Sequence, residues 1–247
     1  MSETLRSGAS GPSVQLLSQL LVERGYLAEA TTDFDRKVRR AVEAFQAQHL
    51  DPRGEPLVVD GVVGPLTWWA LRNQSPPPRS DAAMLAALPS GGSTAGRAAL
   101  TAAIDEMRAG ARELDRNNDG PWVAKYLNGL TPPPAEWCAG FVSWCFTHAP
   151  GGMPFRYSLG ARAIRDDFRR RGWLYEAAKE TPAPGDIVVW WRGQPDGRAG
   201  HIGLVYKSAD GILTTIEGNK GNFPAPVRTF RYVLGRIDRL LGFGRVP

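Results

Sequence analysis

The chain has 247 residues, 43% hydrophobic and 22% charged, with two cysteines and a net charge of +5. That length and apolar fraction fit one large or two small domains and exclude a disordered chain. No run approaches the ~18 apolar residues of a membrane span, so membrane insertion is not expected. Two cysteines supply no disulfide framework, which fits synthesis in a reducing compartment.

The charge is uneven: residues 1–75 carry net −1 and the remainder net +6. A basic second half suits an anionic surface such as a cell envelope or nucleic acid. The run Arg169-Arg170-Arg171 is its sharpest cluster, and a solvated helix face explains it equally well. No zinc-ligand spacing, phosphate loop or aromatic–basic interleaving is present, so nucleic acid is not an expected partner. No apolar signal segment follows Met1, so synthesis in the cytoplasm and delivery by lysis or by a dedicated export machine are expected.

In chain order, residues 1–12 are small and polar and read as loose. A helix follows with Ser13 as N-cap, an apolar stripe of Val14, Leu17, Leu20 and Leu21, and a stop at Gly25. A second helix spans about 35–49, with Val38, Ala41, Val42 and Phe45 inward. His49 at its end reads as structural or solvated. Asp60-Gly61 is a tight turn, and Gly64-Pro65 opens a short helix with Trp68 and Leu71 inward.

The series Val14…Leu17…Leu20…Gly25-Tyr26, then Phe34…Val38…Phe45-Gln46, then Asp60-Gly61-Val62-Val63-Gly64-Pro65…Thr67-Trp68…Leu71, resembles the three-helix type of peptidoglycan-binding domain. It covers residues 12–73. The Asp-Gly-x-x-Gly-x-x-Thr-Trp segment is its most specific part. The resemblance implies peptidoglycan as partner, and Asp60, Gly61, Trp68 and Trp69 are the candidate substrate-binding residues. Trp69 departs from the pattern, which has a small or polar residue there. Two adjacent tryptophans on a short helix cannot both face inward, so one should be partly exposed. It either stacks on a sugar or packs under the linker.

Residues 74–96 read as a linker, stiffened by Pro76-Pro77-Pro78, with one or two helical turns near 82–88. A helix is expected over 97–114, with Leu100, Ile104, Met107 and Ala111 buried. It ends in Asp115-Arg116-Asn117-Asn118-Asp119-Gly120. Asp115, Asn117 and Asp119 fit the first half of a calcium loop, but the twelfth position is Tyr126, where a bidentate Glu belongs. A helix-terminating turn is favoured over calcium, and no cofactor is expected.

Three prolines, 132–134, precede Glu136-Trp137-Cys138 and let a helix start close to Cys138. A thiol there meets unpaired N–H groups and the positive end of the helix dipole, which favour the thiolate. Phe141, Val142 and Cys145 share one apolar face, so Cys145 reads as core filler. The two cysteines, seven residues apart on one helix, stand roughly 10 Å apart, beyond disulfide reach. His148 lies ten residues past Cys138, too far for its base.

After a polar helix over 159–171 and a connection over 173–182, the period becomes two. Strands are expected over 185–191, 201–206, 212–217, 227–232 and 237–243. Helices first and strands after imply an α+β fold with an antiparallel sheet of about five strands. His201 starts the second strand. A hairpin around Asp210-Gly211 brings Glu217 or Asn219 to the same end, giving a helix-borne thiol, a strand-borne imidazole and a polar orienter.

The order Cys138, His201, then Glu217 or Asn219, resembles the CHAP domain of papain-like peptidoglycan amidases and endopeptidases. The matching strings are Asn117-Asn118-x-Gly120-Pro121, Trp137-Cys138-Ala139-x-Phe141-Val142, Pro184-Gly185-Asp186-Ile187-Val188, Gly200-His201-Ile202-Gly203-Leu204-Val205 and Glu217-Gly218-Asn219. They lie within residues 97–247. The resemblance implies a hydrolase with Cys138 as nucleophile, His201 as base, and Glu217 or Asn219 holding the imidazole. The expected protein is a monomeric peptidoglycan hydrolase, an endolysin or an exported antibacterial effector, acting as amidase or endopeptidase. The alternative is a non-catalytic wall-binding scaffold with a degenerate papain-like domain. A third reading is a cysteine peptidase or transferase acting elsewhere.

Overall fold

A computed structural model describes residues 3–73, 88–221 and 223–247. Among these, the chain forms two compact units: residues 3–73 with Phe230–Val233, and the remainder. Most of the expected linker and its helical turns lies outside the described residues. No described helix is long and apolar enough to cross a membrane.

The first unit contains α1 (Pro12–Glu23), α2 (Arg36–Gln46) and α3 (Pro65–Arg72). Pro12 and Pro65 occupy first-turn positions, where a missing N–H costs nothing. Asp35 caps α2 by accepting from the Lys37 and Val38 N–H groups at 2.8 and 2.9 Å. Val14, Leu17 and Leu21 from α1, Val38, Val42 and Phe45 from α2, and Trp68 and Leu71 from α3 share one core, with Leu20 only partly buried. Two expectations need correction. The cap of α1 is Gly11, not Ser13. The N-terminal segment is not loose: Leu5 bridges to Val63, is 2% exposed, and joins the core.

The second unit is α+β. Its helices are α4 (Thr94–Arg108), α5 (Pro121–Leu127), α6 (Cys138–Phe146) and α7 (Ala161–Arg170). The strands of the sheet are β1 (Leu174–Tyr175), β2 (Ile187–Trp191), β3 (Gly200–Ala209), β4 (Ile212–Glu217), β5 (Arg228–Val233, of which Phe230–Val233 group with the first unit) and β6 (Leu240–Gly244), in the order β1-β6-β2-β3-β4-β5. The pairs β1–β6, β6–β2, β2–β3 and β3–β4 are antiparallel. The sixth strand is β1, two residues that lie in the expected 173–182 connection and are too few to show alternation. α4 starts at its Ser93 cap and stops at Arg108, six residues earlier than the apolar spacing implies, because Gly110 turns left-handed at φ +75°.

α6 is the centre of this unit. Every residue from Cys138 to Phe146 except Trp144 is buried, and the helix packs against α4, α5 and β3. A helix buried nearly all round needs a close-approach point, and Gly140 supplies it. A Cβ there would fall 2.3 Å from the Tyr126 carbonyl oxygen of α5. The Tyr157 hydroxyl donates to both backbone carbonyls at this crossing, Tyr126 at 2.7 Å and Gly140 at 3.0 Å. Overpacking such a contact costs about 1–3 kcal/mol. Gly140→Ala should therefore lower the unfolding free energy by that amount, seen as a lower urea midpoint with an unchanged m-value in equilibrium denaturation.

Candidate active site

Cys138 is the first residue of α6, and Trp137 is its cap. The cap is held from behind by a buried carboxylate. Glu113 accepts from the Trp137 indole N–H at 3.1 Å and from the backbone N–H groups of Asn118 and Ala225, each at 3.1 Å. The indole also presses on the end of β4, where a Cβ at Gly218 would fall 2.3 Å from the ring. The start of α6 is thereby fixed against the strand that carries Glu217.

His201 pairs with Trp190 across the β2–β3 hairpin. The turn between these strands is closed by the Arg192 N–H donating to Ala199 O at 3.0 Å. Arg162 at the start of α7 ties the same turn down through Ala199 O, Gln194 O and Pro195 O. On the other side, the β3–β4 register sets Leu204 against Ile216, which places Glu217 over Gly203. A Cβ at Gly203 would fall 2.5 Å from Glu217 Cγ. Glycine at 203 therefore opens the path by which Glu217 reaches His201.

The imidazole is 3% exposed and both its nitrogens are engaged. Nε2 lies 2.7 Å from Glu217 Oε2, and Nδ1 lies 3.0 Å from Arg192 Nη2. A guanidinium only donates, so Nδ1 accepts and Nε2 carries the hydrogen, which it donates to Glu217. Glu217 is fully buried. Its Oε1 accepts from the Thr215 hydroxyl at 2.5 Å, and Lys220 Nζ stands 3.1 Å from Oε2. The structure thus brings His201 and Glu217 together in the interior, and it sets Cys138, also buried, beside the N–H of Ile202, the residue after His201. Asn219 takes a different partner: its side chain donates to Glu136 Oε2 at 2.7 Å, and its carbonyl accepts from Arg192 at 3.4 Å.

Burial pushes the Cys138 thiol up. Arg192 and the N–H groups of Ile202 and Ala139 pull it down, and Glu136 pushes it up. Burial outweighs the helix N-terminus and so opposes the expected pull toward thiolate. Burial and the nearby Arg192 push His201 down to about 3, against the pull of Glu217. Burial disfavours the Glu217 charge, but Lys220, His201 and Thr215 more than offset it and hold the carboxyl well below its usual range. Cys145 is a free, buried thiol pushed well up by burial.

The remaining candidates have structural partners. Asp60 Oδ1 accepts from Gln46 Nε2 at 2.9 Å and from the Val62 N–H at 2.8 Å, and the Gly61 N–H donates to Gln46 Oε1 at 2.9 Å. Trp68 is 3% exposed and donates to Glu3 O, while Trp69 is half-buried. His49 stacks on Phe45 at 3.8 Å, and His148 bonds Trp144 O. Asp119 accepts from Arg116 and from the Gly120 N–H, each at 2.7 Å, while Asp115 and Asn117 are exposed. Among the described residues no three His, Cys, Asp or Glu gather as metal ligands.

Residues 10–71 match the family described as "Putative peptidoglycan binding domain", and residues 130–219 match the CHAP domain. The chain carries a peptidoglycan-binding domain followed by a CHAP domain. Among solved structures it is similar to a Burkholderia AP3 phage endolysin, with 31% identity over 43% of this chain and 33% of that one, at a TM-score of 0.27. It is also similar to NlpC2 from Trichomonas vaginalis, with 15% identity, 63% and 48% coverage and a TM-score of 0.38. Ly7917 shows 16% identity, 63% coverage of each chain and a TM-score of 0.36. The chain spans less than two thirds of each of these neighbours. No curated protein matches it.

The depressed His201 sets a sign for acid stability in the CHAP domain. Between its ordinary value near 6.5 and about 3, the unfolded chain binds a proton that the folded chain refuses. Stability therefore falls as pH drops below 6.5, by about 2 kcal/mol at pH 5. Glu217 adds a further loss only below about 4.5. His201→Asn should flatten the change between pH 7 and pH 5, read from urea midpoints at the two pH values.

Proposed function

We propose that the protein is a peptidoglycan hydrolase that cleaves an amide bond of the wall peptide through Cys138. One observation carries this reading: a thiol at a helix start lies beside the Ile202 N–H, next in chain to an imidazole whose far nitrogen is held by a buried carboxylate at 2.7 Å. The peptidoglycan-binding domain supplies the substrate class.

In this scheme His201 Nδ1 takes the Cys138 proton as the sulfur attacks the amide carbonyl carbon. The C–N bond then breaks, His201 returns the proton to the leaving amine, and a thioester remains. Water, deprotonated by His201, attacks the thioester and releases a carboxylate and the thiol. The Cys138 backbone N–H is the proposed oxyanion donor. Glu217 holds the Nε2–H and stabilises the transient imidazolium, whereas the Asn219 side chain is spent on Glu136. Because burial disfavours both charges at rest, the proton moves as substrate arrives and no standing ion pair forms. The scheme uses only groups of the chain and water. Trp69 is the proposed sugar contact of the binding domain, and the wall, reached after lysis or export, is the proposed site of action.

One observation favours a second reading, a wall-binding scaffold without turnover. The nitrogen that must act as base is already bonded by Arg192. Digestion of purified sacculi with mass spectrometry of the soluble products separates the two. Under the hydrolase reading the wild type releases fragments and Cys138→Ala loses at least ~10³-fold in rate. Released stem peptides with new N-terminal alanine mean an amidase, and cut cross-links with sugars attached mean an endopeptidase. Binding by both proteins with release by neither means the scaffold. An equally active Cys138→Ala removes the thiol from the mechanism.

The same assay ranks the orienters. Glu217→Ala should cost on the order of 10²-fold or more. Asn219→Ala should retain most of the rate.

A further inference from the structure

Arg192 is the charged group nearest the base that the mechanism does not use. Its guanidinium makes two hydrogen bonds from Nη2, to His201 Nδ1 at 3.0 Å and to Asn219 O at 3.4 Å. Both acceptors are neutral. Its carboxylate neighbour, Glu136, stands 3.7 Å from Nη1, is 66% exposed, and has that same oxygen taken by Asn219. The Arg192 side chain is itself 37% exposed. A half-exposed guanidinium thus has its fork turned to weak partners at the edge of a buried imidazole.

A carboxylate received by both prongs makes a much stronger contact than a neutral nitrogen does. Wall peptides carry free carboxylates. While Nδ1 accepts from Arg192, its lone pair is not available for the Cys138 proton. Resting on the hydrolase reading, we propose that Arg192 is the receptor for a substrate carboxylate and a latch on His201, releasing Nδ1 when the acidic peptide draws the guanidinium away. Arg192 is then a positioning and specificity residue. It keeps the site inactive until a correctly charged peptide lies across it.

Three charged groups act on His201: Arg192 from the β2–β3 turn, Glu217 at the end of β4, and Lys220 just after it. Cys138, on α6, is acted on by Arg192, Glu136 and the Ile202 N–H. Withdrawal of the guanidinium removes a like charge from the imidazolium, so His201 becomes easier to protonate.

The test is an imidazole ¹⁵N NMR titration of the full chain, which has three histidines. The probe is the N-acetylated dipeptide L-alanyl-D-glutamate, with its N-acetylated diamide as the uncharged control. In the wild type the dipeptide should move the His201 Nδ1 signal and raise its titration midpoint by about one pH unit, while the diamide does neither. Arg192→Gln should show the raised midpoint without dipeptide and no further response. Arg192→Lys, which keeps the charge but not the fork, should respond weakly. With acidic wall fragments as substrate, Arg192→Gln should raise KM about 10-fold, and with amidated fragments it should not.

An unchanged midpoint in Arg192→Gln, or equal responses to dipeptide and diamide, would overturn the latch. The titration does not depend on turnover. Intact sacculi with the expected titration defeat the hydrolase reading alone, and digested sacculi with an unresponsive His201 defeat the latch alone.

Discussion

A fully buried carboxylate imposes the strongest constraint on the CHAP domain. Glu217 has no access to water, and an uncompensated charge in such a place costs several kcal/mol. Its compensation is local: the Thr215 hydroxyl on one oxygen, and His201 and Lys220 on the other. Each of these partners is fixed by the need to satisfy it. The His201 tautomer follows, because Glu217 can only accept. So does the glycine at 203, because any side chain there would occupy the space of the Glu217 methylenes. A carboxylate that costs this much to bury earns no stability over an apolar residue. What it provides is a single orientation for the imidazole.

A second buried carboxylate governs the other half of the cluster. Glu113 gathers the Trp137 indole and two backbone N–H groups from distant parts of the chain. Trp137 in turn lies against Gly218, one residue beyond Glu217. The path from Glu113 through Trp137 to Gly218 couples the helical layer to the end of β4. The position of the sulfur relative to the imidazole is therefore set by packing on both sides of α6, with Gly140 allowing the helix to seat at full depth.

Much of this was legible in the sequence, and the parts that were not share a cause. The proline triplet before Trp137-Cys138, the alternation after Pro184 and the Asp210-Gly211 turn located the thiol, the imidazole and Glu217, because each rests on local backbone chemistry. The hairpin arithmetic could not separate Glu217 from Asn219. The register shift near Val205 and the left-handed backbone of Asn219, at φ +57°, decide which side chain meets the ring. β1 was invisible because two residues carry no period. Leu5 looked like part of a polar tail because its partner, Val63, lies far along the chain. Arg192 sits in a turn rich in Gly, Pro and Asp, where a cation reads as a solvated charge. Glu113 is one acid among many until three donors are seen around it. The pull of the helix N-terminus on the thiol is opposed for a related reason: the helix dipole acts locally, while burial is a property of the whole fold.

Burial therefore opposes a charge on either Cys138 or His201. Cys138 keeps its proton because its surroundings exclude water, and His201 stays neutral because burial and Arg192 both oppose a charge on it. Under the proposed hydrolase reading, such a site gains little from pre-formed nucleophile and must draw its reactivity from the substrate. A wall-binding domain in the same chain suits that condition. Tethering raises the local substrate concentration without adding a contact at the thiol, so loss of intrinsic reactivity is offset by residence on the polymer. A neutral thiol is also less exposed to oxidation and to stray electrophiles than a thiolate. Under that reading, reactivity confined to the moment of binding, and binding supplied by a separate module, both follow from burying the thiol and the imidazole.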